Sequence, residues 1–160
     1  MPFTASHISR GHTIHLDAPP SRVFPLFEPV GEQSWAIDWK PTFLFPSSGE
    51  AQAGAVFTTQ VHEDDGQDTI WVMSAYDPAS LRLAYLRVTP GSRVGIIDIS
   101  CEGTSDGRTE ATITYTFTGL SDEGNEFIAR LTPAHYQAYI ASWETAINQY
   151  LRSGQPLAHH

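Results

Sequence analysis

The chain has 160 residues, 41% of them hydrophobic and 17% charged, with a net charge of −9 at pH 7. That length supports one hydrophobic core, so a single domain over residues 1–160 is expected. The acidic balance repels phosphate backbones and anionic bilayers, which argues against nucleic acid or a membrane surface as partner.

No apolar run reaches the ~20 residues needed to span a bilayer, so no membrane insertion is expected. Met1–Ser6 carries neither a basic nor an apolar run, so a signal peptide is not expected and the cytoplasm is the default location. Residues 8–17 alternate around Ile8, His12, Ile14 and Leu16 and predict a first strand. Ala18-Pro19-Pro20 ends it. Pro20-Ser21 then opens a short helix with Val23, Phe24, Leu26 and Phe27, kept short by Pro25 and Pro29. A second helical turn is predicted over Glu32–Ala36.

From Asp38 to Gly119 the pattern is one of strands separated by Gly, Pro and Asp. Glu63-Asp64-Asp65-Gly66-Gln67 suits a three-residue hairpin loop with Gly in the left-handed region. That turn sets Phe57 opposite Met73, Thr59 opposite Trp71 and Val61 opposite Thr69. Phe57, Trp71 and Met73 then face inward, while Gln60, Ile70, Val56 and Ser74 take the other face.

Thr104-Ser105-Asp106-Gly107-Arg108 allows the same turn, pairing Cys101 with Ala111, Ile99 with Ile113, Ile97 with Tyr115 and Gly95 with Phe117. The reverse face pairs Ser100 with Thr112, Asp98 with Thr114 and Ile96 with Thr116, as a sheet with one wet side requires. The same parity carried across Thr89–Arg93 puts Leu83 beside Ile99, Tyr85 beside Ile97 and Arg87 beside Gly95. Arg87 is thus the one cation assigned inward.

Ser121 is a helix cap followed by Asp122 and Glu123, and Thr132-Pro133 is a second cap with proline at the first helical position. A break is therefore expected there. Beyond it Tyr136, Ile140, Trp143, Ile147 and Tyr150 form one apolar stripe, ended by Gly154 and Pro156.

The order is a strand, two short helices, a long antiparallel meander and a C-terminal helix with an aromatic face. It resembles the START/Bet v 1-like superfamily, often called SRPBCC, which includes polyketide cyclases and dehydratases. The similarity runs from Ile8 to Gly154. It is carried by Val23-Phe24-Pro25-Leu26-Phe27, by Gly31-Glu32-Gln33-Ser34-Trp35 with Trp39, and by Trp143-Glu144 with Tyr150–Gly154. The resemblance implies an α+β helix-grip fold, a curved antiparallel sheet wrapped around a long C-terminal helix, with a cavity between them. It implies no catalytic residue, since the superfamily has no universal catalytic motif.

The residues expected to line that cavity are Trp35, Trp39, Phe57, Trp71, Met73, Tyr85, Arg87, Ile97, Tyr115, Phe127, Tyr136 and Ile140. Rings of this kind serve equally as core, and Arg87 serves either as an anchor for an anionic ligand or as a partner of a helix acid such as Glu126. His135 is placed at the cavity mouth. Glu32 and Glu144 are the acids nearest the motif tryptophans, either as acid–base groups or as hydrogen-bond partners. His62–Asp65 and Asp68 lack metal-ligand spacing, and Cys101 is the only cysteine, so neither metal nor cofactor is expected.

Two functions follow. The first is binding of a hydrophobic small molecule of lipid, polyketide or aromatic type, by a monomer or homodimer. The alternative is a cyclase, aromatase or dehydratase acting in the same cavity. A co-chaperone-like role on this fold would need a distinctive exposed patch.

Overall fold

The computed structural model describes residues 2–60 and 68–156. Strand β1 (His7–Leu16) is followed by α1 (Pro20–Val23), a 3₁₀ turn (Phe24–Phe27) and a second 3₁₀ turn (Gly31–Ser34). Six strands follow: β2 (Thr42–Phe45), β3 (Val56–Gln60), β4 (Asp68–Asp77), β5 (Arg82–Thr89), β6 (Arg93–Gly103) and β7 (Thr109–Gly119). A 3₁₀ turn at Pro78–Ser80 joins β4 to β5, and the chain closes with α2 (Asp122–Arg130) and α3 (Pro133–Ser153). The strands form one antiparallel sheet in the order β1-β7-β6-β5-β4-β3-β2, and this is the helix-grip arrangement. Among the described residues no helix is long and apolar enough to cross a membrane.

The β5–β6–β7 register is the one the alternation predicts: Tyr85 opposite Ile97, Arg87 opposite Gly95, and Ile97 opposite Tyr115. Ile113, Tyr115 and Phe117 are buried, while Thr112 is exposed and Thr114, Thr116 and Thr118 are half-buried on the outer face.

Two expectations are corrected. In β3–β4, Phe57 lies opposite Trp71 and Thr59 opposite Thr69, two residues from the predicted pairing. The predicted turn at Glu63–Gln67 lies outside the described residues. A displacement of two keeps side-chain parity, so Phe57, Trp71 and Met73 still face inward and are buried. Second, Arg87 is not the single inward cation. Arg10 on β1 pairs with Tyr115, and Arg93 on β6 is buried, so both share the inner parity.

The break at Pro133 is present. Ser121 and Thr132 cap α2 and α3 by accepting hydrogen bonds from the Gly124 and His135 amides, and Gly154 ends α3 in the left-handed region. Placing proline at the first helical position avoids the ~3 kcal/mol it costs inside a helix.

α3 is also tied to an edge of the sheet. The carboxylate of Glu144 accepts the His15 N–H at 2.7 Å. One turn on, the Asn148 amide accepts the Asp17 N–H at 2.9 Å and donates to the His15 carbonyl at 3.0 Å. These side chains supply the partners that an edge strand otherwise finds in water or in another chain. Glu144→Ala and Asn148→Ala should each cost about 1 kcal/mol, the usual net worth of such a bond. Urea unfolding checks this, and a loss below a few tenths in both would mean the ties contribute nothing.

Candidate functional site

The inner face of the sheet carries two groups of rings. Under β3–β5, Trp39, Phe57, Trp71 and Tyr85 pack together with ring centroids 5.3–6.1 Å apart, Phe57 and Trp71 lying nearly parallel at 8°. Every polar tip in this group is held. The Trp39 N–H donates to the Pro29 carbonyl, the Trp71 N–H to the Thr59 hydroxyl, and the Tyr85 hydroxyl to the Phe27 carbonyl. Trp35 donates likewise to the Leu26 carbonyl at 2.8 Å and packs on Phe27 and Trp143. Rings fixed at both body and tip make a solid wall.

The second group surrounds space. A cleft of about 380 Å³ opens between β5–β7 and the corner where α2 meets α3. The sheet contributes Arg87, Arg93, Tyr115 and Phe117, and the helices contribute Phe127, Arg130, Leu131, His135, Tyr136 and Tyr139. Tyr115 is central, within 5.6–6.3 Å of the Tyr136, Phe117, Trp143 and Tyr139 rings. The Tyr136 hydroxyl donates to the Ile113 carbonyl, which fixes the first turn of α3 on the sheet.

Of the twelve residues expected to line a cavity, the structure brings Arg87, Tyr115, Phe127 and Tyr136 to this cleft. Trp35, Trp39, Phe57, Trp71, Met73, Tyr85, Ile97 and Ile140 pack in the core around it. His135 stands at the cleft, as its position in the first turn of α3 predicts. Arg93 and Phe117 were accessible to the same parity argument as Tyr115. Arg130, Leu131 and Tyr139 were not, because they depend on the angle between two helices.

Gly95 lies between Arg87 and Phe117 in the ladder. A Cβ there would stand 2.6 Å from the Phe117 ring and 2.9 Å from Arg87 Cγ, so glycine is what lets the two side chains share the floor. The Arg87 guanidinium lies 4.9 Å from the Trp71 ring centroid and 5.9 Å from that of Phe117, and Arg93 lies 3.4 Å over Phe127. Stacking of this kind holds a guanidinium plane in place.

The tyrosines remain protonated. Burial raises Tyr115 well above the usual phenol range, the Tyr139 hydroxyl adds to the rise, and the Arg87 charge opposes it. Tyr139 leaves 44% of its surface exposed but turns its hydroxyl inward. Burial raises it, against the pull of Arg87 and of the Tyr115 and Trp143 donors. Burial likewise pushes the Cys101 thiol up to about 12, so it is no nucleophile at neutral pH. Among the described residues no three His, Cys, Asp or Glu side chains cluster as metal ligands.

Residues 8–147 match the polyketide cyclase/dehydrase and lipid transport family, and the chain belongs to it. No curated protein matches the sequence. Solved structures share the fold. The ZhuI aromatase/cyclase from Streptomyces sp. R1128 is 17% identical, with 96% of this chain and 100% of that one covered and a TM-score of 0.66. Norcoclaurine synthase from Thalictrum flavum, in complex with dopamine and hydroxybenzaldehyde, is 8% identical over 94% and 90%, also at 0.66. Ara h 8.0201 is 13% identical over 92% and 99%, at 0.60. The family match, with the shared fold, places the chain in the SRPBCC/Bet v 1-like superfamily.

One further ionisable group lies in the interior. Glu32 is buried at 8% exposure because the two 3₁₀ turns approach closely: a Cβ on Gly31 would fall 1.8 Å from the Pro25 carbonyl oxygen. Burial raises the Glu32 carboxyl well above its ordinary value. With the folded value raised, its contribution to stability is fully present below about pH 4.5 and is lost as pH rises through the folded value. Glu32→Gln should therefore unfold at higher urea than the parent at pH 8, with the gap closing near pH 4.5. A gap that is constant with pH would remove Glu32 from the titrating groups.

Proposed function

We propose that this protein binds an apolar small molecule of aromatic, polyketide or lipid type, carrying an acidic or phenolic oxygen, in the cleft between β5–β7 and the α2–α3 corner. The observation that carries the reading is the convergence of five aromatic residues with Arg87, Arg93 and Arg130 around one cleft of about 380 Å³. Small-molecule sites run from about 300 to 1,000 Å³ and combine an apolar wall with a few convergent polar groups. The protonated Tyr139 hydroxyl, which accepts from Tyr115 and Trp143, keeps its own proton for a ligand oxygen, and the arginines favour an anion.

The twelve residues named from the sequence fall into two roles in this reading. Arg87, Tyr115, Phe127 and Tyr136 touch the ligand. Trp35, Trp39, Phe57, Trp71, Met73, Tyr85, Ile97 and Ile140 form the rigid wall behind them. One domain over residues 1–160 suffices, with no cofactor. The acidic balance supports neither nucleic acid nor an anionic membrane as partner, and the unpaired thiol fits the cytoplasm.

The cyclase or dehydratase reading draws on a different observation, the tyrosine hydroxyls held protonated at the cleft by burial. A phenol O–H beside an arginine suits stabilisation of an enolate oxygen. Turnover of a bound ligand separates it from simple binding.

Native mass spectrometry of freshly purified protein identifies any retained molecule. For specificity, an aromatic carboxylate is compared with its neutral amide by intrinsic tryptophan fluorescence. Arg87→Met should weaken the carboxylate about 10-fold or more, as expected for a hydrogen bond to a charged group, and leave the amide within about twofold. Equal loss for both, or none for either, would take the anion out of the proposal.

A further inference from the structure

The cations of the cleft stand at two depths. Arg93 is 2% exposed and Arg87 half-buried, whereas Arg130 and His135 are exposed at the rim. Among the described residues that line the cleft there is no Asp or Glu. A chain of net charge −9 thus gathers cations where the wall itself supplies no acid.

The sheet register gives the two inner arginines separate places. Arg87 pairs with Gly95, and Arg93 stands two residues along β6 on the same face. Diagonal neighbours of this kind are about 7–8 Å apart. Each guanidinium has its own support, Arg87 on Trp71 and Phe117, and Arg93 on Phe127. The Phe117 and Phe127 rings meet edge to face at 5.7 Å, so the floor runs cation, ring, ring, cation. Arg130 lies one helical turn from Phe127, on the side of α2 that carries the ring under Arg93.

From this order we infer that the acidic apolar ligand proposed above, on whose binding this step rests, carries two acidic groups. Arg87 holds one and Arg93, with Arg130 at the rim, holds the other, while the apolar body lies across Phe117 and Phe127.

Two acids fit better than one. Fixed like charges this close repel each other, and one acid set at Arg87 leaves Arg93 without a ligand charge beside it. A flat guanidinium matches a carboxylate edge to edge. Its five N–H donors let it hold a neighbour, as Arg93 holds the Ser92 hydroxyl at 3.0 Å, and a ligand oxygen as well. A phosphate monoester fits less well, because it sets both charges at one point and the two guanidinium planes are supported apart.

Isothermal titration calorimetry at pH 8 compares three ligands: a naphthalene dicarboxylate with an acid at each end of the fused rings, its monomethyl ester, and naphthyl phosphate. The diacid should bind one per chain and at least about tenfold tighter than the other two, the worth of one more hydrogen-bonded charge. Arg93→Met should remove that advantage and leave the monoester within about twofold, whereas Arg87→Met should weaken both. Should Arg93→Met fail to fold by circular dichroism, the comparison of the three ligands on the parent chain decides alone. A monoester that needs Arg87 and binds as tightly as the diacid overturns the second acid and leaves the anion reading standing. A phosphate that matches the diacid overturns the two separate places. Absence of binding by all three, or binding indifferent to Arg87→Met, overturns the underlying reading as well.

Discussion

The sheet is wider than the helix that covers it. Seven strands about 4.8 Å apart span roughly 29 Å, whereas a helix with its side chains is about 10–12 Å across. α3 is tied through Glu144 and Asn148 to the β1 edge, so it shields the β1–β7 side and leaves β3–β5 uncovered. Burying that remainder falls to the chain between β1 and β2. Phe27, Trp35 and Trp39 lie against the inner face, each indole N–H and the Tyr85 hydroxyl closing on a backbone carbonyl of the covering segment. The remaining space sits at the α2–α3 corner. Pro133 starts a second helix there, and the cleft lies in the angle between the two helices, whose Phe127 and Tyr136 rings still reach Phe117 and Tyr115.

The cations of this acidic chain are not spread evenly. Arg87, Arg93 and Arg130 line the cleft, and the Arg10 Nε–H donates to the carbonyl of Leu131, another lining residue. All four are arginines, in a chain with Lys40 as its single lysine. The choice has a physical reason. A guanidinium is weakly hydrated and flat, so it can lie on Trp71, Phe117 or Phe127 and keep its edge for hydrogen bonds, where an ammonium would draw in water. The rings therefore act twice, as apolar wall and as support for charge.

Much of this was legible in the sequence, and the parts that were not have identifiable causes. The β5–β6–β7 register could be read because a one-residue slip would exchange Ile113, Tyr115 and Phe117 with the threonines between them. The β3–β4 register could not, because a slip of two leaves Phe57, Trp71 and Met73 on the same face and only the turn decides it. Helix starts were legible at Ser121 and Thr132, where caps are local. The sheet half of the cleft follows from parity once Tyr115 is placed inward. The helix half needs the angle between α2 and α3, which no periodicity encodes. Distance from the cleft, too, cannot be read from a pattern: Trp39 and Tyr85 carry the same inward signal as Tyr115, yet pack solid.

The two faces of the central strands differ in character, and one alternation builds both. On β5, Leu86 and Val88 point outward while Arg87 between them enters the cleft; on β6, Val94 and Ile96 point outward on either side of Gly95. The aliphatic outer rows and the cleft are thus one backbone apart. Gly95 is the place where they constrain each other, since any side chain added there collides with Phe117 and Arg87 and must displace those side chains or the strand that carries Val94 and Ile96.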